Sequence, residues 1–198
     1  MRESLVLSAA AKVAVALLCL PATAFAADMG ALEQKVALCA ACHGPQGNSA
    51  IPANPSLAGQ PKQFITTQLV MFREGNRKDP QMSAIAAGLT NADINEFGTY
   101  FSAQLPVPPP PSGMDAAKVA ASQRLAEQYN CVSCHGASLK GLQHIPRLAG
   151  QQGAYLATQL RGFKAGTRFD MDGNMTAAAQ PLTENDIVLL AEYLAALR

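Results

Sequence analysis

The sequence predicts an all-α chain built as two tandem copies of one small domain, and three observations carry that prediction. Apolar residues recur at helical spacing over long stretches, no stretch alternates as a strand would, and one set of landmarks occurs twice in the same order. Cys39-Ala-Ala-Cys42-His43 returns as Cys131-Val-Ser-Cys134-His135, 92 positions on, and Pro55-Ser-Leu-Ala-Gly-Gln60 returns as Pro146-Arg-Leu-Ala-Gly-Gln151, 91 positions on. Leu69, Phe72, Gly75 and Arg77 map onto Leu160, Phe163, Gly166 and Arg168, while Met82, Thr90, Asp93, Ile94 and Tyr100 map onto Met175, Thr183, Asp186, Ile187 and Tyr193. Small insertions alone change the offset, as in a duplicated domain.

In chain order, residues 1–26 read as an export leader. Arg2 and Lys12 flank or precede an apolar run from Val13 to Leu20, Pro21 breaks it, and Ala24-Phe25-Ala26 places small residues where a signal peptidase reads, so cleavage is expected after Ala26. A retained membrane anchor is the competing reading, but the run is well short of the roughly 20 residues that span a bilayer. Cys19 falls in this leader, and the bulky Leu17 and Leu18 before it suit lipoprotein cleavage poorly.

The first domain is expected over 27–105, a proline-rich linker over 106–113 and the second domain over 114–198. Asp28–Leu38 and Asp115–Tyr129 carry helical periodicity into the Cys motifs, and Gln60–Arg73 and Gln151–Lys164 form a second helix in each copy. Gly75 and Gly166 fall where a left-handed C-terminal cap belongs. Thr90-Asn-Ala-Asp93 and Thr183-Glu-Asn-Asp186 resemble capping boxes that open a third helix, with Asp in place of the usual Glu. Five prolines within 106–111 favour an extended, semi-rigid spacer. Each copy spans about 80 residues, where an apolar core alone is marginal and a large buried cofactor would help materially.

Charge excludes one class of partner. Fifteen basic against fourteen acidic side chains, and thirteen of each once the leader is removed, leave no basic excess to neutralise phosphates, so no nucleic-acid partner is expected. Four cysteines remaining in an exported chain would ordinarily suggest disulfides. The Cys-x-x-Cys-His pattern argues for other chemistry. Two thiols one turn apart with an imidazole directly after them suit covalent capture of the two vinyl groups of a haem, with the His under the iron. A thioredoxin-like pair would need a βαβ setting that is missing from the pattern, and structural zinc would need four ligands from separate short elements. A local disulfide within each motif is the third competitor. The duplicated motif in an exported chain favours two covalently attached haem c groups, bound through Cys39 and Cys42, Cys131 and Cys134, with His43 and His135 as iron ligands.

The sixth iron position decides function, because a thioether there favours the ferrous state and an open site invites small ligands. Met82 and Met175 alone correspond across the repeat among Met29, Met71, Met82, Met114, Met171 and Met175, so they are taken as the sixth ligands. Met171, four residues from Met175, competes for the second site, and Met71 is expected in the core. His144 has no counterpart in the first copy and reads as a surface residue, with bis-His ligation as its rival role. Pro55 and Pro146 lie 12 and 11 residues past their His and are candidates to present the carbonyl that fixes its tautomer. Arg77 and Arg168 are either partners of haem propionates or solvated arginines.

These residues resemble class I cytochromes c, and the duplication, leader and proline linker are similar to the periplasmic dihaem cytochrome c4 family over nearly all of the mature chain. The resemblance rests on both Cys-x-x-Cys-His sites, Pro55-x-Leu57, Pro146-x-Leu148, Met82 and Met175. It implies two tandem class I cytochrome c domains facing each other, with Met completing each iron site and Pro accepting the His hydrogen bond. It further implies a periplasmic electron carrier from a cytochrome bc complex to a terminal oxidase, often of the cbb type, with a tendency to associate with the membrane. The linker departs from the family in being unusually proline-rich. Such a carrier makes and breaks no substrate bond and is not an enzyme. The alternatives are the cytochrome subunit of a periplasmic dehydrogenase, which would look the same in sequence, a dihaem peroxidase, which would need an open iron and an acid-base group, and a ligand sensor, which also needs an open iron.

Overall fold

The computed structural model describes residues 23–110 and 113–198. Residues 1–22 of the expected leader, with Cys19, lie outside the described residues, as do Pro111 and Ser112 of the linker. The described residues are helical and contain no strand. The first half comprises α1 (Thr23–His43), a 3-10 turn (Pro45–Gly47), α2 (Lys62–Arg73), α3 (Pro80–Ala87) and α4 (Asn91–Ser102). The second half comprises α5 (Ala116–Gln128), α6 (Cys131–His135), α7 (Gly153–Lys164), α8 (Asn174–Ala179) and α9 (Glu184–Ala196). Helix α2 packs on α3 and α4, and α7 packs on α8 and α9.

Local chemistry explains most boundaries. Both capping boxes form: the Thr90 and Thr183 hydroxyls accept from the Asp93 and Asp186 amides, and each Asp carboxylate accepts from the Thr amide in return. Gly75 and Gly166 follow α2 and α7 with φ of 74° and 66°, the left-handed conformation expected of them. The helices that carry the Cys motifs differ between halves. In the first half α1 runs without interruption through Cys39 to His43, whereas α5 stops at Gln128 and Asn130 takes φ 54° before α6 begins. The counterpart of Asn130 is Leu38, whose side chain disfavours that conformation, so the first copy stays helical where the second breaks.

Two short helices were not expected from periodicity. α3 opens on Asp79, whose carboxylate accepts from the Gln81 and Met82 amides, with Pro80 in the first helical position. α8 follows the left-handed Gly173, and the Asp170 carboxylate accepts from the Met175 amide at 2.8 Å. Met82 and Met175 therefore sit on short helices.

The halves are docked directly, and the linker is laid across both. Gly59 and Gly150 have φ of 64° and 66°, and a Cβ at either position would sit 3.0–3.1 Å from linker carbon atoms, of Pro106 and Pro108 respectively. The Asn48 carboxamide ties the start of the linker down, accepting from the Val107 amide at 2.7 Å and donating to the Leu105 carbonyl at 3.1 Å. Residues 106–108 of the linker are thus pinned along the seam of the two halves.

Candidate functional site

The two duplicated sites are built the same way. His43 and His135 end the helical Cys motifs and are buried, at 6% and 5% exposure. The His43 Nδ1–H donates to the Pro55 carbonyl at 2.8 Å, and the His135 Nδ1–H donates to the Pro146 carbonyl at 2.8 Å. A carbonyl only accepts, so each Nδ1 carries the proton and each Nε2 is left with a lone pair for a metal. Burial lowers the pKa of both imidazoles, and the carbonyl bonds oppose this only in part, so the neutral ligand form is favoured.

Cys39, Cys42, Cys131 and Cys134 are all free, so the local disulfide reading does not describe this structure. Burial pushes the Cys39 and Cys131 thiols up. Cys39 packs on the apolar cluster of Val36, Ile65, Phe97 and Phe101, and Cys131 packs on the larger cluster of the second half. Among the described residues no three His, Cys, Asp or Glu side chains converge as a protein-only metal site would require.

The methionines separate by exposure. Met71 is a core residue, Met82 and Met175 are half-buried, Met175 also packs against the second core, and Met171 is 78% exposed. His144 is exposed in the loop before Pro146.

Arg77 and Arg168 are half-buried, and neither is paired with a protein carboxylate among the described residues. Each guanidinium stacks at 4.5 Å on the aromatic ring of its own half, Phe72 or Phe163. Arg77 donates to Gln68 of its own half at 2.6 Å and, across the seam, to the Tyr155 hydroxyl and Gln159 at 3.1 Å; Arg168 donates to Gln159 at 2.5 Å. Burial brings Arg168 down to about 10, which leaves it charged at neutral pH. Burial alone would push the Tyr155 hydroxyl up, but the charges of Arg77 and Arg168 outweigh it and the net shift is downward. The buried Arg168 Nε has no hydrogen-bond partner. Two cations without a carboxylate and an orphaned buried donor fit an anionic group brought in with a cofactor, as haem propionates would be.

Several other contacts across the seam follow a pseudo-twofold pattern. The Phe64 amide in the first turn of α2 donates to the Gln143 carbonyl at 3.2 Å, and its counterpart Tyr155 in α7 donates to the Pro52 carbonyl at 3.1 Å. Neither Pro61 nor Gln152 caps its helix with a side chain, so the opposite half satisfies one otherwise orphaned donor in each. The carboxamides of Gln60 and Gln151 cross the seam in the same reciprocal way. Both glutamines end the duplicated Pro-x-Leu-Ala-Gly-Gln segment, and that duplication is the one signal in the sequence that marks them.

Residues 119–198 match the cytochrome c family. Over 168 residues the chain is 33% identical to cytochrome c4 of Thiocapsa roseopersicina, covering 79% of this chain and 85% of that one. The chain belongs to the cytochrome c4 family. The crystal structure of reduced recombinant cytochrome c4 from Pseudomonas stutzeri superposes with a TM-score of 0.78 at 30% identity, covering 85% of this chain and 98% of that one. A thiosulfate dehydrogenase electron acceptor from Thiomonas intermedia (strain K12) is 34% identical over 180 residues, covering 86% and 83%. As a cytochrome c4, the protein consists of two cytochrome c domains, carries covalently attached haem c with its iron, and transfers electrons between redox partners.

Proposed function

We propose that this cytochrome c4 is a periplasmic electron carrier that takes electrons from a cytochrome bc complex and passes them to a terminal oxidase. The observation that carries the reading is the repeated unit in which a buried His, directly after a pair of free thiols, gives its Nδ1–H to a proline carbonyl at 2.8 Å in both halves. Haem c, when bound, supplies a one-electron iron couple. Cys39 and Cys42, and Cys131 and Cys134, are the thioether attachment points; His43 and His135 ligate through Nε2; Met82 and Met175 supply the sixth ligands. The exposure of Met171 favours Met175 over it. Arg77 and Arg168 receive propionates at the seam. Thioether ligation at both irons favours the ferrous state and closes the sites to oxygen, which supports relay rather than substrate chemistry.

Residues 1–26 act as a cleaved leader, with domains over 27–105 and 114–198. Among the described residues no helix is long and apolar enough to cross a membrane. Peripheral membrane association is part of the same proposal.

The test is reoxidation of the reduced, haem-loaded protein by membranes containing a terminal oxidase. Rapid cyanide-sensitive reoxidation is expected, and its absence overturns the oxidase assignment. A second reading, electron acceptor of a periplasmic dehydrogenase, is favoured by the relative named as a thiosulfate dehydrogenase electron acceptor. It predicts rapid reduction by that enzyme with thiosulfate.

A further inference from the structure

The peptide group that accepts from each proximal His is completed by a side chain of the other half. In the first half the Pro55 carbonyl accepts from His43, and the N–H of the same peptide, on Ser56, donates to Gln151 Oε1 of the second half at 2.7 Å. Gln151 Nε2 then donates to the Ser56 carbonyl at 2.9 Å, so the carboxamide is bound at both ends. The second half mirrors this. The Pro146 carbonyl accepts from His135, the Arg147 N–H donates to Gln60 Oε1 at 2.9 Å, and Gln60 Nε2 donates to the Arg147 carbonyl at 2.9 Å. Gln60 and Gln151 are each 2% exposed, so these bonds lie in a dry seam.

We propose that Gln151 and Gln60 are crossed positioning residues: each polarises the peptide that holds the opposite half's iron-ligating His, and so sets the reduction potential of the opposite haem. The inference rests on the ligation proposed above. A peptide whose N–H is donated into a second hydrogen bond becomes a stronger acceptor at its carbonyl, because bonds in a chain polarise one another and the low dielectric sustains the effect. A stronger Nδ1–H bond gives the imidazole more anionic character and makes it a better donor to iron. The ferric state is stabilised and the potential held down. Removing the carboxamide reverses the chain of effects and raises the potential of the haem in the other half.

Gln151→Met removes both bonds to Ser56, together with the one its Oε1 accepts from the Gln152 amide at 2.9 Å, at nearly constant volume. The haem bound by His43 is expected to reduce more easily, by about threefold in its equilibrium constant, which is about 28 mV at 59 mV per tenfold for one electron. The other haem moves much less. Gln60→Met is expected to give the converse pattern. Gln152→Met is the control: its carboxamide also crosses the seam, to the Ser49 carbonyl, but touches neither proline peptide. It should move neither potential selectively.

The potentials are read separately by following the haem methyl resonances of each half through a redox titration of the two-haem protein. A loosened seam would shift both haems together in all three variants, and that result overturns the proposal. Potentials that stay within the range of the control also overturn it. If Gln151→Met does not mature, Gln151→Asn, too short to reach Ser56, carries the same expectation, and Gln60→Met tests the crossed effect independently. Loss of haem stoichiometry or of the Met–iron absorption band in the unaltered chain counts against the ligation itself. An intact spectrum with no crossed shift counts against this inference alone.

Discussion

The two halves share one plan and differ where they meet. Gln60 and Gln151, Phe72 and Phe163, Arg77 and Arg168, and the two His–Pro pairs are matched across the seam. Three matched positions at the seam are chemically unlike, one of them Pro61 against Gln152. Ser56 of the first half corresponds to Arg147, and Phe64 corresponds to Tyr155. A single buried guanidinium, Arg147, replaces what strict symmetry would make a pair: it donates to the Ala149 carbonyl of its own half and to the matching Ala58 carbonyl of the other at 2.9 Å. Two such cations on one axis would repel in a dry site, so one half supplies the charge and the other a small hydroxyl. Tyr155 likewise gives one hydroxyl to the arginine pair where Phe64 has none to give. Duplication produced a symmetric frame that keeps Gln60 with Gln151 and Arg77 with Arg168 as pairs, while Arg147, Tyr155 and Gln152 reach across the seam without a like partner.

The core differs as well. Among the described residues the second half buries fourteen apolar side chains, including Phe163, Ile187, Leu190 and Leu194, while the first half buries nine, including Ile65, Met71, Phe97 and Phe101. The first half is therefore expected to depend more on its cofactor. Replacing Cys39 and Cys42 by Ala should leave one haem per chain and cost the first half most of its helical signal. The corresponding change at Cys131 and Cys134 should also leave one haem but retain more helix. Haem staining after denaturing electrophoresis and circular dichroism distinguish the two, and equal losses would remove the contrast.

Ligation should be alike in the halves. Met82→Ala and Met175→Ala are each expected to remove about half of the red-end absorption of the oxidised protein, additively, while Met171→Ala leaves it intact. If Met171→Ala removes part of it and Met175→Ala does not, the second site is ligated differently from the first.

The seam offers a middle-sized effect. Arg147→Met leaves the buried Ala58 and Ala149 carbonyls without their donor and should destabilise the protein by about 2 kcal/mol in denaturant unfolding. Arg147 is 4% exposed and is brought down to about 10 by burial, so it stays charged and the loss should be flat across neutral pH. The matching change Ser56→Ala removes one hydroxyl that accepts from the Ser49 amide at 3.1 Å, and should cost less.

The smallest contrast lies in the caps. Thr90→Ala and Thr183→Ala should each cost about 1 kcal/mol. The acids behind them differ, since Asp93 is held well below the usual carboxylate range by hydrogen bonds from Lys35 and Thr90, whereas Asp186 is lowered chiefly by Thr183. A depressed folded pKa contributes stability that is present above the unfolded value, near 4, and is lost as pH falls toward the folded one. Acid titration should therefore weaken the first half more through Asp93, and Asp93→Asn should remove that difference in a pH series of thermal melts.

The sequence by itself determined the helical class, the duplication, both capping boxes and the left-handed glycines, and it marked Pro55 and Pro146 as candidate partners of His43 and His135. Each of these rests on local chemistry or on a motif read twice. It did not show the short helices α3 and α8, because one begins from a side-chain cap and the other from a glycine, with too few turns for periodicity to register. Nor did it show that Gln60 and Gln151 complete the opposite half's proline peptides, or that Arg77 and Arg168 converge on Tyr155 and Gln159. Those of these contacts that cross between halves join residues 78 to 95 positions apart, and a carboxamide or guanidinium in sequence carries no record of which buried group it will meet. Only docking the two halves, which excludes water from the seam and makes an unmet polar group costly there, decided which partners they have.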